Sequence, residues 1–129
     1  MAIHPAVRHL VSKDLHFSGA HAIRLAEGRC ERRHGHDWRV RVTVGAGALD
    51  PLGLVVDFAA LKAAAKAILA PWELRDLNET PPFDALNPTA EQIARLLFEG
   101  LVQRLEDGRL FVERVEVWET PRSRAICER

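Results

Sequence analysis

The stretch WRVRVTVGA, residues 38–46, alternates apolar with polar or charged side chains over a run of β-branched residues. Side chains on a strand point alternately to opposite faces, so this period of two predicts a half-buried strand of an antiparallel sheet. The earlier stretch from Val11 to Ala22 also has strand character, and Ala26–Arg33, with Gly28, reads as the connection between the two. Together these segments predict a long hairpin.

Two helices are predicted in the middle of the chain. The run FAALKAAAKAIL, residues 58–69, is rich in alanine, has apolar residues at helical spacing, can be capped by Asp57 and stops at Pro71. A second helix begins after Thr89, which can serve as its N-cap. Its apolar face is predicted to contain Ile93, Leu96, Leu97, Leu101 and Leu105.

The C-terminal part of the chain returns to strand character. LFVERVEVWE and PRSRAICE again alternate apolar and charged positions, which predicts a second pair of strands. The order ββααββ predicts an α+β fold in which two helices cover one face of an antiparallel sheet. A four-stranded sheet leaves open edges that can pair with another copy, so we expect a homo-oligomer.

The composition excludes several functional classes. The chain has 129 residues, the usual size of one domain, and we expect residues 1–129 to form a single domain. Its 18 basic and 18 acidic side chains balance, so we expect no nucleic-acid partner. No apolar run reaches the roughly 20 residues of a membrane span, and the start MAIHPAVRHLVSKD lacks the apolar core of a signal peptide. We therefore expect a cytoplasmic protein without a membrane partner.

Reactive side chains are densest in CERRHGHDW, residues 30–38. Positions i and i+2 of a strand share a face, so His34 and His36 can present their imidazoles to one point. His21 lies on the other strand of the predicted hairpin and can supply a third ligand, whereas His16 has the opposite strand parity. Catalytic zinc sites commonly use three protein ligands and keep a fourth position open. We expect a zinc site here, and the alternative is a set of hydrogen-bonded histidines at a strand end.

Cys30 has two interpretations beside such a site. It can be a fourth ligand that closes a structural zinc site, or a catalytic thiol next to an open one. Cys127 lies in the last predicted strand and is expected to be a small buried hydrophobe. His4 and His9 lie in the N-terminal leader, where solvated histidines are expected.

A series of segments resembles the 6-pyruvoyl-tetrahydropterin synthase family: FSGAH, C-x-x-x-HGH, GLVVDFAALK, LN, NPTAE and a final WET. This family includes the bacterial 6-carboxytetrahydropterin synthases of queuosine and deazapurine biosynthesis. The similarity extends from about residue 11 to residue 127. The resemblance implies a tunnelling fold (T-fold), whose ββααββ subunits join edge to edge into an oligomeric barrel. Such barrels are usually trimers stacked as a hexamer, with active sites at subunit interfaces.

The resemblance also implies roles for individual residues. The family's zinc ligands correspond to His21, His34 and His36. Its catalytic cysteine, the base that removes a proton from the substrate, corresponds to Cys30. Glu119 corresponds to the carboxylate that anchors the 2-amino group and ring N–H of the pterin, with the Thr120 hydroxyl nearby.

One motif differs from the family pattern. The family has an Asp-His pair in the form LDHxxLN, whereas LAPWELRDLN places Glu73 and Leu74 at those positions. Leucine cannot relay a proton. A leader histidine, His4 or His9, can fill the gap. Alternatively, Glu73 or Asp76 serves as the acid-base group, or the reaction is lost or changed.

These observations predict a zinc-dependent lyase of the 6-carboxytetrahydropterin synthase type. We expect it to act on 7,8-dihydroneopterin triphosphate as a homo-oligomer, a trimer or hexamer. The alternatives are a related enzyme with an altered proton relay or substrate, and a non-catalytic zinc- and pterin-binding module. A generic zinc hydrolase ranks lower, because it leaves Glu119 and Cys30 without a role.

Overall fold

A long hairpin forms the centre of the fold. In the computed structural model, which describes residues 7–129, β1 (His9–His21) pairs antiparallel with β2 (His34–Ala46). The pairing covers both strands from end to end and places His21 directly opposite His34. The predicted hairpin is therefore confirmed.

The other elements follow the predicted order, with one addition. They are α1 (Phe58–Leu69), β3 (Arg75–Asp76), α2 (Ala90–Leu105), β4 (Leu110–Thr120) and β5 (Ser123–Glu128). The strand order is β3-β1-β2-β4-β5, and all neighbours are antiparallel except β3, which runs parallel to β1. The sequence does not predict β3, because two residues are too few for a periodic pattern. The α+β architecture is confirmed as a five-stranded mixed sheet with two helices.

Both helices begin at the predicted caps. The Asp57 carboxylate accepts a hydrogen bond from the Ala59 N–H at 2.7 Å, and the Thr89 hydroxyl accepts one from the Gln92 N–H at 3.1 Å. Each cap satisfies a backbone donor that has no partner within its helix. Among residues 7–129, no helix is both long and apolar enough to cross a bilayer.

The hydrophobic core lies between the helices and one face of the sheet. Alternate residues of β2 are fully buried on this face, and Trp38 stacks on Phe17 with ring centroids 5.8 Å apart. From α2, the buried side chains are Ala90, Ile93, Ala94, Leu97 and Leu101. Leu96 and Leu105, which the helical pattern also predicts for this face, pack at the border of the core. Beyond Trp38, the same face of β2 carries His36 and His34.

The two N-terminal histidines have different outcomes. His9 begins β1, so it belongs to the sheet rather than to a solvated leader. His4 lies outside the described residues. The interpretation that His4 replaces a missing catalytic histidine therefore stays a prediction.

Candidate metal centre and active site

Three imidazoles meet where the central hairpin ends. The pairing of β1 with β2 places His21 beside His34, and His36 follows two positions later on the same face. The ring centroid of His21 lies 4.6 Å from that of His34 and 5.3 Å from that of His36. The predicted convergence of these three rings on one side of the hairpin is present in the structure.

Glu119, near the end of β4, completes the group. One carboxylate oxygen, Oε1, lies 3.0 Å from Nε2 of His21, 3.0 Å from Nε2 of His36 and 3.7 Å from Nε2 of His34. One potential ligand atom from each of the four residues lies within 4.8 Å of the others. The sequence assigns Glu119 to substrate binding, and the structure places it inside the histidine cluster.

Backbone carbonyls determine which nitrogens face the centre of the cluster. Nδ1 of His21 lies 2.7 Å from the Pro88 carbonyl oxygen, and Nδ1 of His34 lies 2.7 Å from that of Arg32. A carbonyl oxygen only accepts, so each Nδ1 carries a proton and donates it. In the neutral rings, Nε2 then presents a lone pair to the cluster. This arrangement is typical of metal-binding histidines, whose second nitrogen donates to an outer partner.

His36 has a different environment. Its Nε2 atom is buried without a hydrogen bond, and Glu119 Oε1 lies 3.0 Å away. Burial lowers the pKa of His36 below its usual value, against the opposing attraction of Glu119. The ring therefore stays neutral at pH 7 and keeps a lone pair available for a metal.

The residues present fit a zinc ion. Nε2 of His21 lies within hydrogen-bond distance of Glu119 Oε1, at 3.0 Å, so an imidazole lone pair and a carboxylate oxygen can face each other there only with a proton or a metal cation between them. Three histidines and one carboxylate are also a donor set that zinc commonly uses. His21 is completely buried, so water does not relieve this crowding at its ring. The cluster could therefore bind a metal ion.

Cys30 lies outside the cluster. Its thiol is exposed, in the loop that joins β1 and β2, and its backbone forms an isolated bridge to Arg24. The described group of potential metal ligands does not include it. This placement favours the catalytic interpretation of Cys30 over a closed site in which the thiol is a fourth ligand.

The two carboxylates that the sequence offers as acid-base groups have structural partners. Glu73 Oε2 accepts a hydrogen bond from the Ser18 N–H at 3.1 Å. Asp76 accepts one from the Asn78 N–H at 3.1 Å and forms an ion pair with Arg33, also at 3.1 Å. Neither belongs to the histidine cluster. Asp76, unlike Glu73, borders a cavity of about 470 Å³, with Ser18 and Asp37 in its lining, on the face of the hairpin opposite the three imidazoles.

Leu74 occupies an unusual backbone position between these carboxylates. Its φ is 57°, in the left-handed region that residues with a side chain rarely adopt, and its side chain is 80% exposed. The Leu74 N–H donates to the Ser18 carbonyl at 2.7 Å, which attaches this segment to the edge of β1. The apolar side chain of Leu74 is therefore exposed, at the position where the family pattern LDHxxLN has histidine.

Thr120, which the sequence predicts as a site residue, and two residues that it does not predict, Glu31 and Pro88, lie near Glu119, His34 and His21. The Thr120 hydroxyl, predicted to contact substrate, accepts from the Arg122 N–H at 3.3 Å in the turn after β4. Glu31 lies 3.6 Å from His34 Nε2 and accepts from the Ile23 N–H at 3.0 Å. Pro88 orients His21 through its carbonyl. The sequence does not predict this contact of Pro88, because it is made by a backbone carbonyl and not by a side chain.

Comparisons with known proteins agree with this geometry. The family model described as 6-pyruvoyl tetrahydropterin synthase matches residues 10–129. The 6-carboxy-5,6,7,8-tetrahydropterin synthase of Bacillus subtilis is 32% identical, over 96% of this chain and 90% of its own length. The enzyme of the same name from Haemophilus influenzae is 30% identical, over 92% and 96%.

A solved structure shows the same fold. The 6-pyruvoyl tetrahydropterin synthase of Caenorhabditis elegans superposes with a TM-score of 0.81 and 24% identity. The superposition covers 98% of this chain and 99% of that one. The two helices and the mixed sheet therefore form a T-fold.

Proposed function

Because this chain belongs to the 6-pyruvoyl tetrahydropterin synthase family, whose members are pterin-processing lyases, we propose that it is a zinc-dependent 6-carboxy-5,6,7,8-tetrahydropterin synthase. Its substrate would be 7,8-dihydroneopterin triphosphate, and its pathway the biosynthesis of queuosine and related deazapurines. The names of the curated relatives support the reaction. The observation that carries the zinc requirement is the convergence of three histidines and a carboxylate within 4.8 Å.

In this proposal the metal is held by His21, His34 and His36. When bound, zinc supplies a Lewis acid that makes a C–H bond of the substrate side chain more acidic. The Pro88 and Arg32 carbonyls keep the first two rings oriented, because each accepts the Nδ1 proton. Burial keeps His36 neutral, as a ligand must be.

Glu119 would anchor the pterin. A carboxylate can accept two charge-assisted hydrogen bonds from adjacent N–H donors, which fixes both the position and the orientation of a flat ring. To do so, its side chain turns from the histidines toward the substrate. The Thr120 hydroxyl lies at the adjacent position of β4 and would add a weaker contact.

Cys30 would remove the substrate proton. A thiolate is the reactive form, and cationic surroundings favour it, as Arg32, Arg33 and a bound metal would provide. For the second proton transfer the candidates are Asp76 and Glu73, neither of which belongs to the histidine cluster. A thiol base requires a reducing compartment, which is why we propose a cytoplasmic location.

We also propose that residues 1–129 form one domain that works as a homo-oligomer, a trimer or hexamer. Gly19 and Ala20 of β1 pair with β3, and Ser18 bonds to Leu74 and Glu73, so within the described chain the outer edge of β1 is open from residue 9 to residue 17. The outer edge of β5 is likewise open at the other side of the sheet. Two such edges allow copies to continue the sheet into a closed ring.

Turnover of dihydroneopterin triphosphate, followed by mass spectrometry, tests the function. We expect the zinc-loaded protein to form the carboxytetrahydropterin. Cys30→Ala should lower the rate by about 100-fold to 10,000-fold. Cys127→Ala is the matched control, because Cys127 is half-buried against the core, and it should keep the rate.

Two outcomes contradict the proposal in different ways. Full turnover by Cys30→Ala would reject the thiol as the base. Tight pterin binding without turnover would favour a zinc- and pterin-binding module. The exposed Leu74 at the position of the family's histidine is the observation that favours this second function.

A further inference from the structure

Side-chain amides hold the segment that follows β1. Asn78 accepts from the Ala22 N–H at 2.8 Å and donates from Nδ2 to the Ala22 carbonyl at 2.8 Å. Asn87 makes the same pair of bonds with the backbone of Arg24, at 2.8 and 3.0 Å. Each asparagine side chain makes the two hydrogen bonds that the backbone of a neighbouring strand would make in a β-sheet. Together they fix the end of β1 against the loop of residues 77–88.

The Arg24 side chain also binds the loop of residues 77–88, through backbone carbonyls of that loop. Nη1 donates to the Leu86 carbonyl at 2.9 Å, and Nη2 donates to the Phe83 carbonyl at 2.8 Å. Nη2 also lies 3.3 Å from the Asn78 carbonyl oxygen. A guanidinium presents five N–H donors in one rigid plane, so a single side chain can hold several carbonyls together.

This loop ends at the carbonyl that orients His21. Pro88 lies between Asn87, which is bonded to the Arg24 backbone, and Thr89, which caps α2. Both neighbours of Pro88 are therefore fixed. Its carbonyl oxygen lies 2.7 Å from Nδ1 of His21, which leaves Nε2 directed at the cluster.

We propose that Arg24 is a positioning residue for the candidate metal centre. It acts through the Pro88 carbonyl and holds His21 in the tautomer and orientation that bind a metal ion. This inference rests on the proposed metal function of the cluster. Outer partners of metal ligands typically contribute about 10-fold to 100-fold in affinity, and we expect a loss of this size when Arg24 is replaced.

Zinc affinity of Arg24→Gln, measured by competition with a chelator, tests the inference. Arg109→Gln is a matched control, because Arg109 also donates to two loop carbonyls, those of Ala48 and Val55, at 3.1 and 2.7 Å. That loop lies between β2 and α1, at the end of β2 opposite to the histidine cluster. We expect weaker zinc binding only in Arg24→Gln, and partial rescue in Arg24→Lys, which keeps a cationic donor.

Nitrogen NMR of the His21 ring in metal-free protein gives a second measurement. We expect a fixed Nδ1–H signal in the unmodified protein and in Arg109→Gln, because Nδ1 donates to the Pro88 carbonyl, and an averaged Nδ1 signal in Arg24→Gln. This measurement requires no zinc. A protein that binds no zinc would refute the metal function, while the ring signals would still decide whether Arg24 positions His21.

Equal zinc affinities of Arg24→Gln and Arg109→Gln, with unchanged His21 signals, would overturn the inference. If Arg24→Gln does not fold, Arg24→Lys takes its place. Lysine loses the rigid fork that reaches several carbonyls at once, so zinc affinity and His21 signals equal to those of Arg109→Gln would again overturn the inference.

Discussion

At the scale of residues, the histidine cluster combines features that a metal site requires. His21 and His34 each donate Nδ1–H to a backbone carbonyl, and the Nε2 atom of His36 is buried without a hydrogen bond. Strand parity predicts which three histidines converge. It does not predict the tautomers, because the Pro88 and Arg32 carbonyls carry no side-chain signature.

Replacement of one imidazole tests the metal set. We expect His36→Ala to lose more than about 100-fold in zinc affinity, since even outer partners contribute up to that amount. His16→Ala is the control, because His16 is exposed on the opposite face of β1 and should leave affinity unchanged. The affinities are measured by chelator competition, and equal values for the two variants would show that zinc does not bind at this cluster.

Replacement of Glu119 distinguishes its proposed role as the pterin anchor from a role as a metal ligand. Glu119→Gln keeps the shape of the side chain but loses its charge, so we expect pterin binding to weaken by about 10-fold to 100-fold, the value of a hydrogen bond to a charged group. Zinc affinity should be retained. Fluorescence titration with a pterin and chelator competition measure the two effects, with Glu128→Gln at the other end of the sheet as control. A loss of zinc with unchanged pterin binding would make Glu119 a metal ligand.

At the scale of elements, the hairpin of β1 and β2 positions the site. Both strands are well predicted because apolar and polar residues alternate over a long run. The helix caps Asp57 and Thr89 are also local signals and are confirmed. The short β3 and the loop of residues 77–88 could not be predicted. Their conformations depend on contacts from distant residues, such as Ser18 with Leu74 and Arg24 with the loop carbonyls.

The hairpin also contains a charged cross-strand pair whose contribution depends on pH. The hydrogen bonds from Arg41 lower the pKa of Asp14 below 3.8, with Arg39 adding to the effect. A lowered native pKa stabilises the fold above the unfolded value of about 3.9, and this contribution disappears as the pH falls through the native pKa. Asp14→Asn should therefore be less stable than the parent at neutral pH, by about 0.2–1 kcal/mol.

Urea unfolding across a pH series measures this difference. We expect the gap between Asp14→Asn and the parent to shrink below about pH 4. Asp84→Asn is the control, because Asp84 is exposed and its carboxylate forms no ion pair within residues 7–129. A gap that stays constant with pH would show that the Asp14–Arg41 pair contributes nothing through its charge.

At the scale of the whole molecule, open sheet edges support the proposed assembly. The outer edges of β1 and β5 lie on opposite sides of the sheet, and exposed edges pair readily with other strands. The sequence predicts a sheet with open edges, but it does not predict β3, which covers part of one edge, and no sequence pattern determines how many copies close a ring. The number of subunits depends on twist and on contacts between copies.

Sedimentation tests the assembly. We expect a particle of three or six chains of 14.5 kDa over a range of protein concentrations. Edge-to-edge pairing buries backbone groups that are otherwise unpaired, so dilution should not dissociate it easily. A particle with the mass of one chain would contradict the proposed barrel.

X-ray absorption of the zinc-loaded protein tests the central claim most directly. We predict scattering from imidazole nitrogens of three histidines at about 2.0–2.1 Å, with no sulfur in the first shell. Loading of His36→Ala should abolish this signal. A zinc–sulfur distance of about 2.3 Å would instead place Cys30 on the metal, and the absence of imidazole scattering would contradict the site altogether.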